Sequence, residues 1–296
     1  DRVVRVERQS EVVEDRTGNG HTLRTSGCTR ADGISGQALR ANGACSARYQ
    51  DGTFLRTDRG FGFECWIRPD ALPEAGANIV SVPGQFMLRI DPKQGGSTLS
   101  CFVWSDDEGW EPRARGPRPE PGRWLHVAAS WDWQTIRLQV GQNLYTSAKA
   151  GPCPRTDAPL IIAGEIEGLP GFRGLVDEFL VYDAPLGPVS LARIGYGLSL
   201  SAPNRPRTDP TFDFEEDAEG WRTVRGKAVP VRNGALHATL TPEEPRLVVE
   251  GLALDADRMP FCRIRLSATE GPRAVLALIG DRLFREVPFL IVPDGE

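Results

Sequence analysis

The sequence predicts an all-β chain, and three observations lead there. Apolar and polar residues alternate at period two over one segment after another, 32 glycines and 24 prolines fall between these segments at turn-like spacing, and almost no stretch carries a helical period. Many short strands punctuated in this way read as a β-sandwich. A length of 296 residues suits one large or two medium domains. With 40% apolar and 25% charged residues the composition is that of a globular protein with a sizeable core.

The strands can be taken in order. Phe61, Phe63, Cys65 and Ile67 share one face of a strand, Glu64, Trp66 and Arg68 share the other, and Pro69-Asp70 ends it. Comparable runs follow at 79–82, 86–90, 99–104, 124–131, 136–140, 159–163 and 175–182, with one or two helical turns expected after Pro188, over 189–195. Residues 199–211, SLSAPNRPRTDPT including Pro203, Pro206 and Pro210, lack apolar periodicity and read as a linker. The organisation expected is a first module over 1–198, the linker over 199–211, and a second β-sandwich over 212–296. About 85 residues are short for a sandwich of roughly 100, so this second module is expected to be incomplete at its C-terminus. The chain opens in mid-strand and is expected to be a segment of a longer polypeptide.

Charge and cysteines exclude several functions. The net charge of -5 argues against a nucleic-acid partner, which needs a clustered basic face. Arg113, Arg115, Arg118 and Arg123 are interleaved with Pro and Gly and read as a solvated loop in preference to a patch for an acidic partner such as a sulfated glycan. The six cysteines show no zinc spacing; Cys65 and Cys101 lie in apolar runs as small buried hydrophobes, while Cys28 and Cys45 flank a short loop, where a disulfide is one of the options. No apolar run reaches the roughly 18 to 20 residues of a membrane helix, and no segment of the sequence reads as a signal peptide.

The segment FRGLVDEFLVYDAPL, Phe172 to Leu186, poses an energetic problem. Asp177 and Glu178 stand inside an apolar strand, where an unpartnered polar group costs roughly 2 to 7 kcal/mol. Neighbouring residues of a strand point to opposite faces, so the two are not an acid/base pair. Glu165 and Glu167 alternate, but Gly164, Gly168 and Pro170 around them indicate a turn. The three histidines are dispersed, His126 reads as structural, and no hydrolase or P-loop motif appears. No catalysis is expected. The aromatics expected nearest the surface are Trp133, at the tip of the WDWQT hairpin, and Trp110, in SDDEGWEPR; each reads as a sugar platform or as a packed loop anchor. Trp66, Trp124 and Trp131 read as packing.

Four segments in order resemble the laminin-G-like jelly roll of the concanavalin A-like lectin/glucanase superfamily. They are EDRTGNGHTL (14–23) with DGISGQALRANG (32–43), GFGFECWIRPD (60–70), GRWLHVAASWDWQTIRLQVGQ (122–142) and GFRGLVDEFLVYDAPL (171–186). The resemblance implies a jelly roll for the first module and a non-catalytic carbohydrate-binding or adhesion role, with a glycan or polysaccharide as partner. It further implies an extracellular or cell-surface setting, covalently linked neighbouring domains, and a structural calcium ion. The positions that match the family's calcium site are Asp15, Asn19 and Asp177. A metal-free staple, in which Asp177 accepts backbone N–H groups of the same loop, stands beside that reading. The resemblance also leaves open a spacer beside a catalytic domain, or a glycoside hydrolase. The second module is similar to carbohydrate-binding or galactose-binding sandwiches through FDFE (212–215), Gly220-Trp221 and NGALHATL (233–240), with Trp221 read as core.

Overall fold

The structure is a computed structural model. It describes residues 12–15, 17, 19–50, 60–151, 153–154, 156–182, 184–195, 214, 217–218, 220–223, 229–233, 235–237, 247–249, 273–279 and 284–290. The predicted linker over 199–211, most of FDFE and the segment around Cys262 lie outside them. The chain divides into two compact units, Asp1–Pro188 and Val189–Glu296.

Fifteen strands are described in the first unit: β1 (Val12–Val13), β2 (Leu23–Ser26), β3 (Thr29–Asp32), β4 (Gln37–Asn42), β5 (Ser46–Tyr49), β6 (Phe61–Pro69), β7 (Ala77–Val82), β8 (Phe86–Ile90), β9 (Leu99–Val103), β10 (Ala114–Arg115), β11 (Leu125–Trp131), β12 (Thr135–Val140), β13 (Asn143–Ala148), β14 (Leu160–Ile162) and β15 (Arg173–Tyr182). They form an eight-stranded sheet in the order β1-β2-β5-β14-β7-β8-β9-β10 and a seven-stranded sheet in the order β13-β12-β11-β6-β15-β4-β3. The chain crosses between the sheets at β2–β3 and returns at β4–β5, giving a jelly-roll sandwich of antiparallel strands.

Alternation along the strands makes the core. Phe61, Phe63, Cys65 and Ile67 of β6 face Phe86, Leu88 and Ile90 of β8 across the two sheets. Phe86 touches both β6 phenylalanines, with ring centroids 4.5 Å from Phe61 and 5.3 Å from Phe63. Each such side chain contributes about 1.5–3 kcal/mol by leaving water. Trp131 is fully buried, and its Nε1 donates to Lys149 O at 3.1 Å. Cys28 and Cys45 are joined in a disulfide at the two crossover corners, while Cys65, Cys101 and Cys153 are free and buried.

The second unit begins within the helix α1 (Pro188–Gly195). Its described strands are β16 (Arg222–Thr223), β17 (Val231–Arg232), β18 (Ala235–Leu236), β19 (Leu247–Val248), β20 (Arg273–Ile279) and β21 (Phe284–Leu290), paired as β16–β19, β17–β18 and β20–β21. Asn233, between β17 and β18, has φ 53°.

Candidate functional site

The acidic pair of β15 is accommodated by a β-bulge. Asp177 lies opposite Trp66 and Leu180 opposite Glu64, so β15 carries one extra residue there, and Glu178 takes φ 48°. The bulge changes the phase of the strand. Val176 faces the core before it, Phe179 and Val181 pack against the core after it, and Glu178 is exposed. Unbroken alternation would have pointed Glu178 inward with Val176.

The buried Asp177 is a staple. Its Oδ2 accepts the backbone N–H groups of Ile34 at 2.8 Å and Ser35 at 3.0 Å, and its Oδ1 accepts that of Glu178 at 2.9 Å. Gly33 makes room for it: a Cβ there would stand 2.3 Å from Asp177 Oδ2. Thus the loop that receives Asp177 is the DGISG turn between β3 and β4. Asp15 is engaged separately. It accepts from Thr17 N at 2.7 Å, Thr17 Oγ1 at 2.6 Å and His21 N at 3.0 Å, and Asn19 Nδ2 donates to Thr17 Oγ1 at 2.9 Å. The Thr17 hydroxyl, followed by the two backbone donors, lowers the Asp15 carboxyl to about 2.

Calcium asks for six to eight converging oxygens. Here N–H and O–H donors already face both carboxylates, and no hydrogen bond among the described residues joins Asp15 or Asn19 to Asp177. No group of three or more His, Cys, Asp or Glu able to hold a metal occurs among the described residues. The three side chains as arranged therefore do not fit the ion. The thiols offer no ligand either: burial pushes Cys101 and Cys153 up to about 12 and Cys65 higher still.

A cleft of about 290 Å³ opens on the outer face of β8 and β9. Met87, Arg89 and Phe102 form its floor, since they alternate with the core residues of those strands. Trp110, Glu111 and Arg113, from the β9–β10 connection, form one wall; Ile166, Glu167 and Leu169, from the turn between β14 and β15, form the other. Glu165 and Glu167 thus belong to a turn, closed by bonds between Ile166 and Leu169 of 3.1 and 2.7 Å, and Glu167 has φ 50°.

The polar groups of the cleft are held from beneath. Asp91, 1% exposed, accepts Ser100 Oγ at 2.6 Å, Thr98 Oγ1 at 3.2 Å and Arg89 Nε at 2.9 Å. Arg113 and Arg115 stand 3.8 and 4.0 Å from the same carboxylate. The guanidinium carbons of Arg89 and Arg113 lie 4.3 and 4.8 Å from the centre of the Phe102 ring. Arg113 is therefore a packed wall residue; the solvated loop expected for it is corrected by Phe102, whose outward ring attracts the cation, while Arg115 remains half exposed.

Lys149 fixes the Trp110 wall. This side chain is fully buried, and its Nζ donates to Gly109 O and Glu111 O, both at 2.7 Å, on either side of Trp110, with Glu108 at 3.6 Å. Burial draws its ammonium below the ordinary lysine range, while Glu108 opposes the shift. Its backbone N–H donates to Gln134 O at 2.8 Å. One residue thereby joins the Trp110 loop to the β11–β12 hairpin, whose tip residue Trp133 is 49% exposed with φ 72°. Trp110 itself is half-buried and packs edge-on against Trp104, centroids 5.4 Å apart.

The outer face of the seven-stranded sheet carries one further cluster. His126 Nε2 lies 2.7 Å from Glu64 Oε2, Tyr182 donates its hydroxyl to Glu64 Oε1, and the Trp66 and His126 rings are 5.1 Å apart. Burial and then the Glu64 charge raise the Tyr182 phenol above its ordinary value. Glu64 is the single carboxylate of this cluster, so no two-carboxylate couple of the glycosidase kind arises there. The sequence signal was available in the outward parity of Glu64, His126 and Tyr182; the pairing of β6 with both β11 and β15 was not.

Two sheets in jelly-roll order, with a cleft on an outer face, define the class. The chain belongs to the concanavalin A-like lectin/glucanase superfamily: a laminin-G family model of that description matches residues 42–192, just over half of the 296 residues. No curated protein matches. Among solved structures the chain is similar to domain 4 of AbnA, a GH43 extracellular arabinanase from Geobacillus stearothermophilus, in complex with arabinotriose, at 20% identity and a TM-score of 0.47, covering 63% of this chain and 87% of that one. It is similar to a heptameric SAP-like pentraxin from Limulus polyphemus at 17% identity and a TM-score of 0.39, covering 48% and 72%. The binding domain of botulinum neurotoxin DC in complex with SialylT follows at 9% identity and a TM-score of 0.46, covering 70% of this chain and only 53% of that one. At such identities and scores no ligand or role passes from them to this chain.

Proposed function

We propose that the first unit is a non-catalytic carbohydrate-binding module of a larger extracellular protein, with the cleft on β8 and β9 as its sugar seat. The observation that carries this reading is the make-up of the cleft: aromatic and apolar groups (Met87, Phe102, Trp110) beside a few convergent polar ones (Arg89, Arg113, Glu111, Glu167). Sugars present apolar C–H faces and a rim of hydroxyls, and such a lining answers both. At about 290 Å³ the cleft suits one unit of a longer chain. Trp110 supplies the wall within it, and Trp133, on the hairpin tied to the same lysine, supplies an exposed ring for a neighbouring unit. The Cys28–Cys45 disulfide favours an oxidising, extracellular compartment.

Titration calorimetry with a panel of neutral and acidic oligosaccharides tests the reading. Saturable binding is expected, weakened roughly tenfold by Trp110→Ala. If no member of the panel binds, the module is a spacer. Incubation of the protein with polysaccharides is expected to release no reducing sugar; turnover abolished by Glu111→Gln or Glu167→Gln would make it a glycoside hydrolase.

A further inference from the structure

The charges under the cleft are unequal. Three guanidinium groups, those of Arg89, Arg113 and Arg115, lie within 4.0 Å of the one buried carboxylate of Asp91. Glu111 answers one of them, at 3.1 Å from Arg113 Nη1. A residual positive charge is left at this end of the cleft, and Glu167 stands on the opposite wall. Arg89 is held only through Nε, by Asp91 at 2.9 Å, and by its stacking on Phe102. Its two terminal nitrogens have no protein partner among the described residues, and the buried Nε of Arg113 has none either. A planar fork, oriented from behind by a buried acid and stacked on a ring, is the arrangement that binds a carboxylate bidentately.

We infer that the cleft reads an acidic saccharide, a sugar ring bearing a carboxylate. The Arg89 fork takes the carboxylate, Arg113 flanks it, the ring lies against Trp110, and Glu167 on the far wall accepts sugar hydroxyls. Asp91 is the positioning residue: it holds Arg89 without reaching the ligand, and Ser100 and Thr98 hold Asp91 in turn. This inference rests on the binding reading above and adds the class of ligand to it.

The test compares ligands on the unmodified protein. An array carries oligosaccharides containing galacturonate, glucuronate or mannuronate, the methyl esters of the same compounds, their neutral counterparts and sulfated sugars. At least one uronate is expected to bind, with roughly tenfold or greater loss on esterification, since a hydrogen bond to a charged group is worth about that factor. The loss is expected to shrink as salt rises. Calorimetry on Arg89→Lys, which keeps the charge and loses the fork, and on Arg89→Gln is expected to show a similar loss for the uronate, with the preference for acid over ester falling towards one. Equal binding of acid, ester and neutral sugars overturns the inference and leaves the module a carbohydrate binder. Preference for sulfated sugars over uronates also overturns it. Absence of any saccharide binding overturns both readings. Should either Arg89 variant fail to melt cooperatively, the comparison of acid with ester on the unmodified protein decides.

Discussion

Asp177 spends its acceptor capacity on three main-chain donors, and its value to the fold follows from what those donors would lose. Asp177→Ala would strand the N–H groups of Ile34 and Ser35 beside a cavity, each unsatisfied buried donor costing about 1–3 kcal/mol. A drop of several degrees in Tm is expected, and Gly33→Ala is expected to act in the same direction by expelling the carboxylate. Neither EDTA nor added Ca²⁺ is expected to move the Tm of the unmodified protein; a clear rise with Ca²⁺ would restore the metal reading. Sequence predicted that Asp177 needs a partner, because the cost of a bare carboxylate in an apolar strand does not depend on topology. It placed the donors in the DRTGNG loop, whereas Ile34 and Ser35 of DGISG supply them. Two glycine-rich loops, DRTGNG and DGISG, were equally able to turn N–H groups toward an acid, and only the pairing of β4 with β15 brings the second one to Asp177.

At the level of the element, the β15 bulge and the Trp110 loop each concentrate a fold-level task in one residue. Glu178 adopts a left-handed conformation that costs an L-residue other than Gly or Asn roughly 1 kcal/mol. Glu178→Gly is therefore expected to leave stability unchanged or raise it by up to about that amount in denaturant unfolding. Deletion of Glu178 is expected to leave the protein folded and soluble, because it removes the extra residue and keeps Phe179 and Val181 on the core face, opposite Cys65 and Phe63. Lys149 does for the loop what the bulge does for the strand. Lys149→Met is expected to accelerate hydrogen exchange at Gly109–Glu111 and to weaken sugar binding, with the sandwich still folded. Strands such as Phe61–Pro69 and Phe86–Ile90 were legible because period-two alternation states both the element and its inner face. The cleft was not. The outward residues Met87, Arg89 and Phe102 look like solvent-facing positions until Ile166 and Leu169, some 65 or more positions away, are folded over them. Trp110 was found from the sequence as a surface aromatic; Lys149 gave no signal, since a lysine beside a turn ordinarily faces water.

For the whole molecule, the chain passes repeatedly from sheet to sheet, and the Cys28–Cys45 bond sits where the first two crossings, β2–β3 and β4–β5, occur. A loop of 17 residues closed covalently removes about 3 kcal/mol worth of denatured-state freedom. Reduction, or the pair of substitutions Cys28→Ser and Cys45→Ser, is expected to lower stability by that order in guanidinium unfolding. The bond also encloses β3 and β4, the ribbon at one edge of the seven-stranded sheet. A ribbon tethered at both ends cannot be handed to another copy of the chain, so exchange of this edge between molecules is barred while the disulfide is intact. Concentrated protein kept reduced is thus expected to accumulate swapped dimers in gel filtration, and reoxidised monomer is expected to stay single. The same two sulfurs that shorten the unfolded chain also keep each molecule's edge its own.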